Sequence, residues 1–301
     1  MRHAVDRYLT MRQAAGFDLV NAAYLLRSFA RAAAERGETH VRAATAIAWA
    51  SQGPSVAQRD ARLKTICRFA RYVQPEDGRH DVPPARHFGT HTIRRVPHIY
   101  SRADITRLIA AARQLGPPDR LHPHTYATLI ALLAATGLRI AEALSLQLPD
   151  VTPRGLVIRK TKFQKTRLVP LHDTTHAGLD RYLTCRRHVM SNGEHVFVTD
   201  NGRPLRYRAV YPTFQTLLKV AGLGVVSGHR PRLHELRHTF AVRALEASPA
   251  GRQRIGQHMV ALATYMGHVN IGATYWYLET TPDLLREIAT AGETFFNGGQ
   301  P

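Results

Sequence analysis

Apolar residues recur at helical intervals through the first part of the chain: Leu9, Ala15, Leu19, Leu25, Leu26, Phe29 and Ala30, then Val56, Leu63, Ile66, Phe69, Ala70 and Val73, with arginines on the faces between them. Gly16, Gly37 and the turn Gly53-Pro54-Ser55 divide this run into four segments. The pattern predicts a four-helix domain over residues 1–78. Beyond Pro75 the periodicity stops, and a stretch rich in Pro, Gly, His and Arg reads as a basic linker over 79–98.

A second domain is expected over 99–301. Ser101, with Asp104 three residues on, opens it as a helix start of the capping-box kind. Residues 123–135 and 139–147 predict two more helices, broken at Thr136-Gly137. The pattern then changes to short β-type runs: Leu156 to Ile158 and Arg167 to Val169 as a hairpin, and His195 to Val198 as a third strand. After Pro204 the spacing is helical again. Helices, a small antiparallel sheet, then helices make this domain α+β within a mainly α chain.

Length and charge narrow the partner. The chain has 301 residues, enough for about two domains. It carries 41 Lys plus Arg against 22 Asp plus Glu, a formal charge of +19. One pocket for an acidic metabolite needs only a few cations, whereas a polyanion suits them all, because each neutralised phosphate releases counterions. The longest nearly apolar stretch, Ala127 to Ala135, is far below the roughly 20 residues of a membrane span. Cys67 and Cys185 are the only cysteines, with no CxxC, which argues against a disulfide framework or a thiolate zinc site. A reducing cytoplasmic compartment that contains nucleic acid is the expected location.

The most conspicuous string is His234-Glu235-Leu236-Arg237-His238. It fits H-E-x-x-H, where two histidines one turn apart hold zinc and the Glu is the base. Arg237 would bring a cation into that metal shell, and a third ligand such as Glu246 or His258 has no distinctive spacing. The same helix offers another face. His234 and Arg237, three residues apart, present a hydrogen-bond donor and a planar guanidinium fork that suit two oxygens of one phosphate.

Three further segments bear on that choice. Thr136 to Leu144, TGLRIAEAL, places Arg139 directly after a tight turn in otherwise apolar sequence, where it needs an anion or a partner such as Glu142. Lys160, Lys162 and Lys165 lie at the tip of the hairpin. Tyr265-Met266-Gly267-His268 precedes Tyr275-Trp276-Tyr277.

The order Arg, Lys, His-x-x-Arg, Gly-His, Tyr closely resembles the tyrosine recombinase (phage integrase) family, over roughly residues 99–290. ATGLRIAEAL, TKFQKTRLVPL, LHELRHTFA and YMGH all occur in the family's order. The resemblance implies a core-binding, SAM-like domain for the first bundle and a recombinase catalytic domain for the second. It matches Arg139 and Arg237 to the two arginines that hold the scissile phosphate, and Lys162 to the hairpin lysine, five residues before Arg167. His234 and His268 match the two histidines, and Tyr277, nine residues after His268, matches the nucleophile in preference to Tyr275. Glu142 falls at a supporting acidic position.

These groups account for a chemistry that needs neither metal nor other cofactor. Two guanidinium forks neutralise the charge that builds on the phosphorane. Tyr277 attacks to give a 3′-phosphotyrosine and a free 5′-hydroxyl, with Lys162 as general acid and His234 as proton acceptor or phosphate donor. A partner strand's 5′-hydroxyl then rejoins the strand without ATP, through a Holliday junction. Arg94, Arg95, Lys165 and Arg167 are the expected contacts to the phosphates of double-stranded DNA. Residues 248–258 read as a polar loop with no assigned role beyond a candidate DNA contact.

Thr281-Pro282-Asp283 begins a final helix with the apolar stripe Leu284, Leu285 and Ile288. In the family such a tail docks on a neighbouring protomer, which implies a homotetramer on DNA. The wording YMGHVNIGATYWYLE resembles integrases of transposons and other mobile elements. The competing readings are a non-catalytic DNA-binding regulator on the same fold, a type IB topoisomerase-like relaxase, whose large cap and linker domains the chain lacks, and an HExxH zinc hydrolase.

Overall fold

The computed structural model describes residues 1–89, 96–159, 166–191, 193–225, 229–247, 252–267, 272 and 274. The chain divides into two compact units, Met1–Arg95 and Val96–Pro301.

Among its described residues the first unit contains four helices: α1 (Arg2–Ala14), α2 (Val20–Ala34), α3 (Ala43–Ser51) and α4 (Val56–Val73). Gly16 and Gly37 lie beyond the ends of α1 and α2 at φ +83° and +70°, left-handed conformations that glycine adopts without Cβ strain. Ser55 caps α4 by accepting from Gln58 N at 3.3 Å. Leu63, Ile66, Phe69, Ala70 and Val73 form the buried stripe of α4, packing with Leu26, Phe29 and Trp49. Most of the periodic positions of the sequence are therefore the core, whereas Ala15 and Val56 are exposed at helix ends and Leu19 and Leu25 are half-buried.

Residues 79–89 differ from a free linker. Asp81 N–H donates to Val41 O at 2.8 Å, and Ala43 N–H donates to Asp81 Oδ2 at 3.1 Å. Asp81 thus caps α3, whose own N-cap residue, Arg42, makes no side-chain cap. The Cys67 thiol donates to Pro83 O, and Val82, Ala85 and Phe88 pack on the bundle core. Pro and Gly content announces irregular backbone, but not whether that backbone is docked.

The second unit contains α5 (Arg102–Arg113), α6 (Leu121–Thr136), α7 (Ile140–Ser145), a short 3-10 turn at Leu148–Asp150, strands β1 (Val151–Thr152), β2 (Gly155–Ile158) and β3 (Arg167–Val169), then α8 (Asp173–Arg187), α9 (Tyr207–Val220), α10 (Glu235–Glu246) and α11 (Arg252–Met266). Ser101 and Asp104 form a reciprocal capping box at α5. Helix α6 is the central element, buried on nearly every side and packed by α5, α8 and α10. It ends where Gly137 turns left-handed, at φ +61°.

The sheet is antiparallel in the order β1-β2-β3, with Leu156 opposite Val169 and Ile158 opposite Arg167. The expected third strand is corrected by the structure. His195 and Val198 make isolated bridges to Gln147 and Pro204, and the third strand is Val151–Thr152. Val196, Phe197 and Val198 are fully buried, so this apolar run is a core plug threaded between loops and not a half-exposed strand. Helix α8 is not announced by the sequence pattern, because only Leu179, Tyr182 and Arg186 along its length are buried.

Candidate active site

The break after α6 positions the first basic residue of the site. A Cβ on Gly137 would lie 2.5 Å from the Phe240 ring, so only glycine lets the chain turn so close to α10. Two residues later Arg139 is the N-cap of α7, and Glu142, one turn on, accepts from its backbone N–H at 2.9 Å. Arg139 Nη1 donates to Glu142 Oε1 at 2.7 Å, and Nη2 donates to Gly267 O at 3.2 Å. Its side chain remains 36% exposed, enough to meet a ligand.

Arg237, on the first turns of α10, is only 3% exposed. It donates through Nη1 to Gly137 O at 2.6 Å and through Nη2 to Met266 O at 2.7 Å. A third arginine completes the group. Arg167, the first residue of β3, donates through Nη2 and Nη1 to the two oxygens of Glu142 at 2.8 and 3.1 Å, and through Nε to Tyr265 O at 2.9 Å. Three guanidiniums therefore converge on the carbonyls of residues 265–267, at the C-terminal end of α11, where the helix dipole is negative.

Glu142 binds two of these cations. Burial opposes its ionisation, but the hydrogen bonds from Arg167 and from Arg139 outweigh it and hold the carboxyl at about 2. His234, the N-cap residue of α10, is pushed below its ordinary value by desolvation and then by the charges of Arg237, Arg232 and Arg139. A neutral imidazole beside arginines can accept a proton. Its ring meets that of His238 edge to face at 4.9 Å.

The H-E-x-x-H string receives no support from this geometry. Glu235 accepts from Arg232 N at 2.7 Å and from Arg232 Nε at 3.0 Å, so its carboxylate closes the helix start instead of standing ready as a base. Another group, His40, Asp77 and His80 in the first unit, brings three metal-capable atoms within 4.8 Å of one another. Those atoms are already engaged. Val41 N–H donates to His80 Nδ1, which leaves the proton of the neutral ring on Nε2, and Arg79 holds both oxygens of Asp77.

Of the residues singled out in the sequence, Arg139, Glu142, His234 and Arg237 are brought together with Arg167. Arg167 is buried on Glu142 and does not present itself to solvent as a phosphate contact. Lys162, Lys165, His268, Tyr277, Arg94 and Arg95 lie outside the described residues. Sequence reasoning missed Tyr100: fully buried, it donates through its hydroxyl to Arg232 O at 3.1 Å and through N–H to Thr239 Oγ1 at 3.0 Å, bracing α10. Its position just before the Ser101 cap was the only available signal. A hollow of about 690 Å³ between α6 and α8, lined by Ala131, Leu132, Ala135, Gly178 and Leu179, includes none of the site residues. Within the arginine cluster, Arg139 is the most exposed member, while Arg237 and Arg167 are largely buried behind it.

Residues 100–283 match the phage integrase family. The chain belongs to that family. As a tyrosine recombinase, it is an enzyme of the site-specific recombinase class. It is 37% identical to a protein named as an integrase/recombinase, y4rB, of Sinorhizobium fredii, over 95% of each chain. It is 30% identical to the tyrosine recombinase XerD of Caulobacter vibrioides, over 79% of this chain and 75% of that one. The Tn1549 transposon integrase, solved in complex with transposon right end DNA, superimposes with a TM-score of 0.64 at 17% identity, over 95% of this chain and 99% of that one. A lambda integrase dimer bound to a core site gives 0.64 at 18% identity, over 92% and 76%. These two establish a shared fold. Among the described residues, no helix of this recombinase is long and apolar enough to cross a membrane.

Proposed function

We propose that this recombinase cuts and rejoins duplex DNA through a 3′-phosphotyrosine on Tyr277, leaving a 5′-hydroxyl, and exchanges strands through a Holliday junction without metal or ATP. The observation that carries this reading is the convergence of Arg139 and Arg237 on the carbonyls that end α11, just before His268 in the sequence, with His234 in the field of both arginines. Arg139 and Arg237 hold the scissile phosphate, and preset guanidiniums stabilise the charge of its transition state with little reorganisation. Neutral His234 accepts a proton or hydrogen-bonds the phosphate, His268 adds a second hydrogen bond, and Lys162 protonates the departing 5′-oxygen. Glu142 sets the Arg139 fork.

The basic excess fits a DNA partner gripped by both the 1–78 bundle and the catalytic domain, with Arg94, Arg95 and Lys165 on phosphates. Assembly is a homotetramer on DNA, joined by the C-terminal helix that the sequence from Thr281 predicts, in the cytoplasm beside the nucleoid. The similarity to integrases such as y4rB and the Tn1549 enzyme supports mobility of a genetic element as the biological role.

The test uses a nicked duplex of the sequence that the wild-type protein selects from a random-sequence pool. Wild type should form an SDS-resistant protein–DNA adduct in the presence of a chelator, and Tyr277→Phe should form none. An adduct that survives Tyr277→Phe, or one that appears only with added zinc, would refute the reading.

A further inference from the structure

Arg167 is the point at which three elements of the site meet. It begins β3, five residues after Lys162, so its backbone belongs to the hairpin. Its guanidinium clasps both oxygens of Glu142 on α7 and, through Nε, the carbonyl of Tyr265 near the end of α11. Only 12% of the side chain is exposed. The packing is close as well: a Cβ on Gly267 would lie 2.7 Å from Arg167 Nη1, so the turn before His268 is shaped around this guanidinium. Gly267, at φ +68°, is a residue whose conformation and missing side chain both serve that approach.

A surface cation that reads DNA keeps its donors toward solvent. Arg167 directs its three described bonds inward, to a carboxylate and a carbonyl. The fork is also specific. Lysine is a point charge that cannot hold two carboxylate oxygens and a carbonyl in a separate direction at fixed angles.

We propose that Arg167 is a positioning residue for strand cleavage: through Glu142 it fixes Arg139, and through Tyr265 and Gly267 it fixes the end of α11 that immediately precedes His268 in the sequence. This rests on the phosphotyrosine reading above. Arg167 itself touches no reacting atom, and its effect falls on the rate at bound DNA and not on DNA affinity.

The experiment uses the full-length protein and the nicked duplex described above, measuring the dissociation constant and, at saturating protein, the first-order rate of adduct formation. Arg167→Gln and Arg167→Lys should bind with wild-type affinity and form adduct more slowly, on the order of 10- to 100-fold for Gln, the scale of a small misplacement of catalytic groups. Arg167→Gln combined with Glu142→Gln should be far less than multiplicative, since the two act in part through one contact. Arg167→Lys retains a charge for Glu142 and serves as the second variant if the Gln form does not fold. A wild-type adduct rate in a folded Arg167 variant overturns the proposal. So does weakened DNA affinity with an unchanged rate on bound DNA, which would make Arg167 a phosphate contact. Failure of wild type itself to form adduct refutes the phosphotyrosine reading instead.

Discussion

At the scale of single residues, Glu142 shows how the site is held together before DNA arrives. It is 9% exposed and accepts from one backbone N–H and two guanidiniums. Desolvation raises its pKa, the arginine hydrogen bonds lower it, and the arginines win: the folded value is about 2 against an ordinary 4.5. A depressed carboxylate contributes stability that is fully present above its unfolded value and is lost as pH falls through the folded value, so the window runs from about pH 5 down to about 2. Glu142→Gln should therefore cost about 3 kcal/mol at pH 7, the scale of breaking a buried ion pair. The gap between wild type and variant should narrow between pH 5 and pH 3. Urea unfolding across that range checks it, and a gap independent of pH would remove Glu142 from its role as the shared anion. The sequence makes Arg139 and Glu142 legible because they are three residues apart on one helix start. The other half of the arrangement is not legible, because Arg167 lies 25 residues from Glu142, and nothing in a basic hairpin tells an inward guanidinium from an outward one.

At the scale of elements, two glycines separate backbone conformation from packing. Gly16 and Gly137 both end helices in the left-handed region, at φ +83° and +61°. Around Gly16 a Cβ would meet nothing within 4 Å, whereas on Gly137 it would meet the Phe240 ring at 2.5 Å and Met266 Sδ at 3.2 Å. Gly16→Ala should cost about 1 kcal/mol, the left-handed penalty alone. Gly137→Ala should cost that plus about 1–3 kcal/mol of overpacking. It should also slow adduct formation, since Gly137 O is a seat for Arg237. Parallel denaturation of the two variants measures the difference, and equal losses would show that the site tolerates the crowding. Elements with a regular apolar stripe, such as α4, or with an explicit cap, such as α5, are visible in the sequence. Helix α8 and the 195–198 plug are not, for opposite reasons. The first buries too few positions to make a stripe, and the second buries Val196, Phe197 and Val198 in succession, so its run of apolar residues looks like a strand.

At the scale of the whole molecule, the question is what a charge of +19 does once three arginines are committed to the interior of the site. Glu142 offsets one of these three charges, and the helix-end carbonyls orient the guanidiniums without cancelling them, so the site keeps a small share of the field that a distant polyanion meets. The attraction rests on the remaining surface cations, and for these, unlike the site residues, affinity and catalysis should separate. Each phosphate contact removed should lower the slope of log K against log salt by about 0.9, without altering the geometry around the scissile phosphate. Neutralising Arg94 and Arg95 together, as Arg94→Gln with Arg95→Gln, should weaken binding at all duplex sequences alike and flatten the salt slope by up to about 2. The adduct rate at saturating protein should stay at the wild-type value. Binding isotherms at several salt concentrations, with single-turnover cleavage beside them, measure both quantities. An unchanged slope would place these two arginines off the DNA, and a slower adduct rate would make them part of the catalytic arrangement.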